Sequence, residues 1–435
     1  MDSSSRLFLG IDLGTSGCRG MVIDEQETCR AQARHHFYSS INSKGHHQQD
    51  AHVWWHAVID VIQQLGKQIN LGHIVALAID GTSGSVLLTD ADGNPLHAAL
   101  MYNDARATQE TEQLEQLNID NSAVLTPTSG LAKLLWLKQQ GFSQQAHYFL
   151  HQADWINGKL LNKFGDTDIN NALKTGYDPV RQKWPDWFSQ LDINLNWLPR
   201  VHQPGDGLGT IDNPIARQLG LNTATKIIAG TTDSTAAIIA TGASQVGEAV
   251  TSLGSTLVVK VIADKPVSNS HYGIYSQPFG KYWLAGGASN TGGAVLKQFF
   301  TDEQLITLSE EINIDNPTGL DYYPLPSTGE RFPVNDPEKP SLITPRPEED
   351  AVFLQALLES MARIEQQGYQ QLNELGAPYP VHVLTCGGGA KNQVWNKIRE
   401  NYLKVPVSEA HHQEAAFGMA LIAKHSKCKR ENNDC

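Results

Sequence analysis

Two aspartates stand where apolar, strand-like runs give way to turns of Gly with Ser or Thr. Asp12 closes Leu7-Phe8-Leu9-Gly10-Ile11-Asp12 and is followed at once by Leu13-Gly14-Thr15-Ser16-Gly17. Asp233 lies in Gly230-Thr231-Thr232-Asp233-Ser234, ahead of the helix-like Thr235-Ala236-Ala237-Ile238-Ile239. A carboxylate at a strand end can hold hydrated Mg²⁺, while Gly14, Thr15 and Ser16 turn N–H groups and hydroxyls toward the phosphates the metal bridges. Asp233 has two readings. It is an N-cap, a position Asp often fills, or a general base that takes the proton of an attacking hydroxyl. Two more turns, Leu253-Gly254-Ser255-Thr256 and Cys386-Gly387-Gly388-Gly389, complete the set. A metal-holding acid, a base and N–H cradles are the parts of phosphoryl transfer, which needs positioning and charge neutralisation more than covalent chemistry.

Other nucleotide and hydrolase signatures are missing. There is no G-x-x-x-x-G-K-[ST], no H-E-x-x-H and no G-x-S-x-G elbow. Gly205-Asp206-Gly207-Leu208-Gly209 follows Pro204 rather than a strand, so it is not a dinucleotide fingerprint.

The elements that must position these residues repeat one arrangement, a buried strand ending in a Gly-Ser/Thr turn. Besides the runs above, it occurs at His73–Asp80 before Gly81-Thr82-Ser83-Gly84, at Tyr282–Ala285 before Gly286-Gly287, and at Val381–Thr385 before Cys386. Leu354, Leu357, Leu358, Met361 and Ile364 follow the spacing of one helix face. Residues 391–403 and 413–424 read as further helices, and Trp184 to Leu198 as loop with a short helix. The Pro-rich stretch 324–348 reads as a long surface connection, and the polar end from Lys427 as frayed. Leu13-Gly14-Thr15-Ser16 is echoed at Leu253-Gly254-Ser255-Thr256, 240 residues later. Two such turns suggest two related halves facing one cleft; ordinary hairpin chemistry is the plainer reading of either turn alone.

Length and charge set the outer limits. The 435 residues suffice for two or three domains, and 40% hydrophobic content excludes wholesale disorder. A net charge of −13 disfavours nucleic acid and anionic membranes as partners, yet leaves room for a small phosphate site built from backbone N–H groups. No run approaches the roughly 18 apolar residues of a membrane span, and the start shows neither a secretory nor a transit pattern. Five cysteines without a C-x-x-C pair fit a reducing compartment better than a disulfide framework or zinc site. Pairs such as His35-His36 and His411-His412 point adjacent side chains apart, which suits solvated surface rather than a metal. The expectation is a soluble cytoplasmic protein.

The ordered motifs resemble those of the FGGY carbohydrate kinases, a branch of the actin/Hsp70/sugar-kinase fold. Ile11-Asp12-Leu13-Gly14-Thr15-Ser16 is similar to the family's opening motif and Gly230-Thr231-Thr232-Asp233 to its catalytic-base motif. Leu253-Gly254-Ser255-Thr256 is similar to its second phosphate loop and Cys386-Gly387-Gly388-Gly389-Ala390-Lys391-Asn392 to its adenosine loop. Glu414-Ala415-Ala416-Phe417-Gly418-Met419-Ala420 resembles the closing helix. The likeness covers nearly the whole chain. Within the family, Ala78-Ile79-Asp80-Gly81-Thr82-Ser83-Gly84 and Met101-Tyr102-Asn103-Asp104-Ala105-Arg106 resemble the compact D-ribulose kinases of cyanobacteria and plants, also labelled xylulose kinase-like. Bacterial xylulose kinases usually show Gln-Met-His-Gly in place of the first and Trp before the acid in the second, and this chain has neither.

The resemblance implies an α/β protein with two RNase H-like domains, 6–243 and 244–426, a central cleft, and a tail at 427–435. Asp233 would be the base, and Asp12 and Asp233 would stand at the metal and sugar. Ser83 would contact the sugar, or is a plain turn serine. Asp104 would contact it too, or is a capping acid salt-bridged to Arg106. Gly14, Thr15, Ser16, Gly254, Ser255 and Thr256 would face phosphates, and Gly387, Gly388, Gly389 and Asn392 would border the adenosine. Trp395 would stack on adenine, or is a core aromatic. The implied reaction is ATP, with Mg²⁺, plus D-ribulose giving D-ribulose 5-phosphate, by a monomer or homodimer that hinges near Thr241-Gly242-Ala243-Ser244. D-xylulose or another polyol is the nearest alternative; an actin-like regulatory ATPase and a sugar sensor with feeble turnover are rivals of other classes.

Overall fold

Strand β1 (Leu7–Leu13) is buried along its whole length, which is why it reads as an apolar run interrupted only by Asp12. The computed structural model that shows this describes residues 6–426 except 39, 42–45, 118, 120–122, 143, 212 and 213; the polar end from Lys427 lies outside the described residues. By its contacts the chain divides into two units, Met1–Ala240 with Glu414–Cys435, and Thr241–Gln413.

In the first unit β1 is joined by β2 (Gly17–Ile23), β3 (Cys29–His36), β4 (Ile74–Gly81), β5 (Gly207–Thr210) and β6 (Lys226–Ile228), in the order β5-β6-β4-β1-β2-β3. Pairing is antiparallel from β1 to β2 to β3 and parallel from β1 to β4 to β6. Helix α1 (Ala51–Gly66) starts on Asp50, which accepts the His52 N–H, and lays Trp54, Val58, Val61, Ile62 and Leu65 onto one face of the sheet. Each such side chain contributes about 1.5–3 kcal/mol of burial. The other face is covered by the closing helix Ala415–Lys424, whose Met419 and Ala420 join a core with Phe8. The close approach depends on Gly10, where a Cβ would sit 2.0 Å from the Ala416 carbonyl oxygen. The resemblance runs the second domain through residue 426, and so includes residues 414–426 in it. They pack in the first, because Gly10 leaves the helix a seat on β1. A five-stranded sheet that includes Val86–Thr89, Ala99–Leu100 and Tyr148–His151 extends this unit, and leads into helix α2 (Gln152–Leu161). Helix α3 (Asp233–Ala240) follows β6.

The second unit repeats the plan. Its strands β7 (Glu248–Leu253), β8 (Leu257–Ala263), β9 (Gln277–Phe279), β10 (Tyr282–Ser289), β11 (His382–Cys386) and β12 (Val407–Glu409) take the order β9-β10-β8-β7-β11-β12. Antiparallel β10-β8-β7 and parallel β7-β11-β12 reproduce β3-β2-β1-β4-β6 in order and direction. The echoed turns Gly14–Ser16 and Gly254–Thr256 occupy the same place in each, the hairpin from first strand to second. Helices α4 (Asp302–Glu311), α5 (Asp350–Glu374) and α6 (Gln393–Leu403) belong to this unit. The predicted face of α5, Leu354 to Ile364, is buried. The Pro-rich connection is less superficial than expected, since Glu330 and Phe332 are 3% and 1% exposed. Glu330 accepts the Asn290 N–H, and the Phe332 ring fills space left by Gly287 and Gly368. Among the described residues no helix is long and apolar enough to cross a membrane, and Cys18, Cys29 and Cys386 are free.

A closed polar network ties the second sheet to its helices. Arg399 of α6 forks onto Glu365 of α5 at 2.6 and 2.7 Å, and its Nη1 donates to Thr385 of β11 at 2.7 Å. Glu365 also accepts the hydroxyl of Thr251 on β7. Both charges are fully buried, so removing one strands the other. Arg399→Met should cost the second unit about 3–5 kcal/mol, read as an earlier urea transition; an unchanged midpoint would mean the pair contributes nothing.

Candidate active site

Parallel pairing makes Asp12 and Asp80 register partners at the C-terminal ends of β1 and β4. One residue on, Gly81 bridges Thr232, so the segment carrying Asp233 joins the same edge. Three carboxylates therefore gather at the strand ends where open α/β sheets bind ligands. Asp80 is fully buried and Asp12 is 8% exposed, while Asp233 is half-buried. Arg19 Nη1 lies 3.5 Å from Asp12 Oδ2 and 3.4 Å from Glu414 Oε2. Burial lifts the Asp12 carboxyl above the usual range, against the pull of Arg19. Burial and then the negative charges of Asp12 and Asp233 hold Asp80 well above it. Their negative charge resists the ionisation of Asp80.

The cap reading of Asp233 does not hold. Helix α3 begins at Asp233 itself, Thr232 precedes it in the cap position, and the Thr235 N–H donates to the Thr232 carbonyl at 3.0 Å. The Asp233 carboxylate accepts the adjacent Ser234 N–H at 2.6 Å.

The acids fit Mg²⁺. Neither oxygen of buried Asp80 makes a hydrogen bond of normal geometry, and carboxylate oxygen is the donor this hard ion prefers. Among the described residues no group of three or more His, Cys, Asp or Glu is placed to cage a metal. Mg²⁺ needs no cage, since it keeps waters and takes oxygens from substrate phosphates beside one or two carboxylates.

Ser83 sits on the turn after β4 with its Oγ shielded and unpartnered. Lys133, wholly buried on helix Gly130–Gln139, donates to the carbonyls of Gly84 at 2.9 Å and Met101 at 2.6 Å. It thereby ties this turn to the Met101–Arg106 segment, which Ser85 Oγ also holds through the Tyr102 N–H at 2.9 Å. Asp104 takes its salt-bridged alternative. Arg106 engages both carboxylate oxygens at 2.8 and 2.7 Å and stacks on Trp136. That pairing lowers the Asp104 carboxyl below the usual range despite burial.

The second unit holds a cavity of about 770 Å³, the size of a small-molecule site. Gly254, Ser255, Gly388, Gly389, Asn392 and Trp395 line it, with apolar Leu296, Leu305 and Ile306. Thr256 and Gly387 are not in the lining. Thr256 ends the hairpin by accepting the Gly254 N–H at 3.1 Å. Gly387 shapes the neighbouring turn, where a left-handed φ of 85° brings it against the Leu253 carbonyl. A Cβ on Gly389 would meet the Trp395 ring at 2.6 Å, whereas one on Gly388 would meet nothing within 4 Å. Gly388 thus faces open space. Asn392 caps α6 by accepting the Trp395 N–H at 2.9 Å and donates to Ser309 at 2.8 Å. Trp395 is a core aromatic, 2% exposed, and it also walls the cavity.

The motifs assign no role to Asp80, Lys133 or Gln152, whose side chain accepts both the N–H and the hydroxyl of Thr82. Asp80 leaves a signal, because Ile79-Asp80 ending a strand repeats Ile11-Asp12. The other two leave none, since their partners are backbone groups or lie 70 residues away.

The chain matches the FGGY family of carbohydrate kinases, N-terminal domain, over residues 7–240 and C-terminal domain over 249–426. It is 24% identical over 412 residues to a xylulose kinase of Escherichia coli (strain K12), covering 90% of this chain and 84% of that one. An L-fuculokinase of the same strain is 26% identical over 444 residues, covering 96% and 91%. The structure of a ligand-bound xylulose kinase from Lactobacillus acidophilus superposes with a TM-score of 0.86 at 21% identity, over 97% of this chain and 89% of that one. At that identity the superposition establishes the fold.

Two measurements test the geometry. Gly388→Ala should fold normally but weaken ADP binding by about 10-fold or more by filling the cavity, whereas Gly387→Ala should lower the melting temperature because its φ is left-handed. Equal effects on folding would contradict the assignment. Burial lowers the Lys133 amine to about 7, against the pull of Asp104. Unfolded, the lysine keeps its proton to about pH 10.4, so the stability it confers is full above that value and is lost as pH falls to 7. Urea midpoints of the first unit should therefore rise from pH 7 to 9 more steeply in the native protein than in Lys133→Met; parallel profiles would refute the shift.

Proposed function

The chain belongs to the FGGY family of carbohydrate kinases, and from that premise we propose that it transfers the γ-phosphoryl group of ATP to a ketopentose, D-ribulose, giving D-ribulose 5-phosphate. The observation that carries this is the meeting of Asp12, Asp80 and Asp233 at one sheet edge beside the unpartnered Ser83 hydroxyl.

Asp233 accepts the proton of the sugar hydroxyl as that oxygen attacks phosphorus, and Ser83 holds a neighbouring hydroxyl. Asp12 and Asp233 would hold Mg²⁺, with Asp80 completing the acidic wall; when bound, the ion neutralises charge on the phosphate oxygens. The Gly14–Ser16 and Gly254–Thr256 turns offer N–H groups to phosphates, and Gly388, Asn392 and Trp395 border the adenosine. Asp104 acts through Arg106, keeping the Met101–Arg106 segment in place.

D-xylulose is the second reading, supported by the xylulose kinases among the relatives. Against it stands the Ile79-Asp80-Gly81-Thr82-Ser83 turn, which places a carboxylate and small hydroxyls where those enzymes usually carry Gln-Met-His-Gly. An actin-like ATPase needs only water at the γ-phosphate, so a sugar-dependent rate excludes it.

ADP release against a panel of ketopentoses, aldoses and polyols tests the proposal, with ³¹P NMR of the product. The expected result is selective turnover of D-ribulose; preference for D-xylulose would overturn the first reading in favour of the second. Asp233→Ala should lower kcat by about 10²-fold or more with ADP binding retained. Near-normal turnover would remove Asp233 from the chemistry.

A further inference from the structure

Gln152 is the first residue of α2 and is 0% exposed. Its Oε1 accepts the Thr82 N–H at 2.9 Å and the Thr82 hydroxyl at 2.8 Å. A backbone N–H can only donate, so the oxygen end of this amide is identified and its nitrogen must point the other way. That Nε2 carries two donors, is shielded from solvent and has no partner. The next polar atom along the turn, Ser83 Oγ, is in the same state. Loose packing does not explain it. The Gln152 N–H donates to the Ser85 carbonyl at 3.1 Å, and a Cβ on Gly81 would come within 3.1 Å of the Ala153 nitrogen. The start of α2 is thus pressed against the turn that follows β4, on the edge that also carries Asp80 and bridges to Thr232.

Folded proteins rarely leave a buried amide donor unpaired, and at a ligand-binding edge an ordered water or a ligand atom completes its bonding. A polyhydroxyl compound suits this place, because each hydroxyl both accepts and donates and so can satisfy Gln152 Nε2 and Ser83 Oγ together. We infer that Gln152 contacts the acceptor sugar directly, donating from Nε2 to one of its oxygens, and with Ser83 selects the configuration of the carbon that bears it. The inference rests on the sugar-kinase reading above. It also explains why an amide serves better than a carboxylate here. Glutamate would satisfy Thr82 equally well but would have nothing to donate.

The test is a cycle of enzyme and substrate deletions. Native protein, Gln152→Glu and Gln152→Met are assayed with the preferred ketopentose and its monodeoxy analogues, with circular dichroism and thermal unfolding as checks on folding. In the native protein one analogue should lose about 10²-fold or more in kcat/KM, as expected where a site is built to bond a substrate hydroxyl. In both variants the parent sugar should fall to a similar level and that analogue should carry no further penalty, with KM for ATP unchanged. A variant penalised equally with every sugar, and retaining the full analogue penalty, would make Gln152 a mere brace for Thr82 and overturn the inference. If the native protein turns over no sugar, the sugar-kinase reading falls and takes this inference with it. If the native protein turns over sugar but the penalties simply multiply, only the inference falls.

Discussion

The register of β1 against β4 is the constraint on which the candidate chemistry depends. Side chains alternate faces along a strand, so a slip of one residue would turn Asp80 away from Asp12 and bury it on the opposite face. The register is held from both sides. Leu9, Ile11 and Leu13 face the core beneath α1, while Phe8 faces the core beneath the closing helix. A slip would exchange these faces and drive Gly10 out from under the closing helix, where no other residue fits. Apolar packing along the strands thus positions a carboxylate group that apolar packing alone would never assemble.

That group is electrostatically costly, and the cost is informative. A fully buried aspartate beside two others is disfavoured by desolvation and by repulsion, and Arg19, the cation near Asp12, is more than half exposed. Buried charges kept for structure look different, as Arg399 and Glu365 show. Each of their polar atoms is matched by a partner, and the network is closed. Among the described residues of the first unit, Asp80, Ser83 and Gln152 have buried polar atoms without a hydrogen bond at one strand end, and so do His151, Asn157 and Asp166 elsewhere. In the second unit, among the described residues, the unpartnered buried atom is Trp395 Nε1, on a ring that walls the cavity. At the Asp80 strand end and at the cavity the bonding is left open, whereas the Arg399–Glu365 scaffold network is closed.

The fold is legible in the sequence to the extent that its signals are local. A strand ending in a Gly-Ser/Thr turn requires only neighbouring residues, so β1, β4, β7 and β11 can be read, as can the α5 face and the echoed hairpins. The closing helix is recognisable, but its pattern does not say which unit it joins, because its seat depends on Gly10, four hundred residues earlier in the chain. Phe332 is hidden for a similar reason, since its slot is formed by two glycines on separate elements. At the site, Asp12, Ser83 and Asp233 lie in motifs, whereas Gln152 is defined by Thr82 and by what its nitrogen lacks. A missing partner has no sequence signature.

The duplicated sheet also bears on how an acidic chain handles phosphate. Each unit places a Gly-hydroxyl hairpin between its first two strands, and backbone N–H groups there supply positive potential independent of side-chain charge. A net charge of −13 therefore need not weaken nucleotide binding, and it works against adventitious polyanions. Beyond the shared hairpin the units diverge. In the first, the parallel neighbour β4 ends in Asp80 and a Ser/Thr turn; in the second, β11 ends in Cys386 and three glycines that open onto the cavity. One architecture thus ends the same strand in a carboxylate in the first unit and in bare backbone opening onto a cavity in the second.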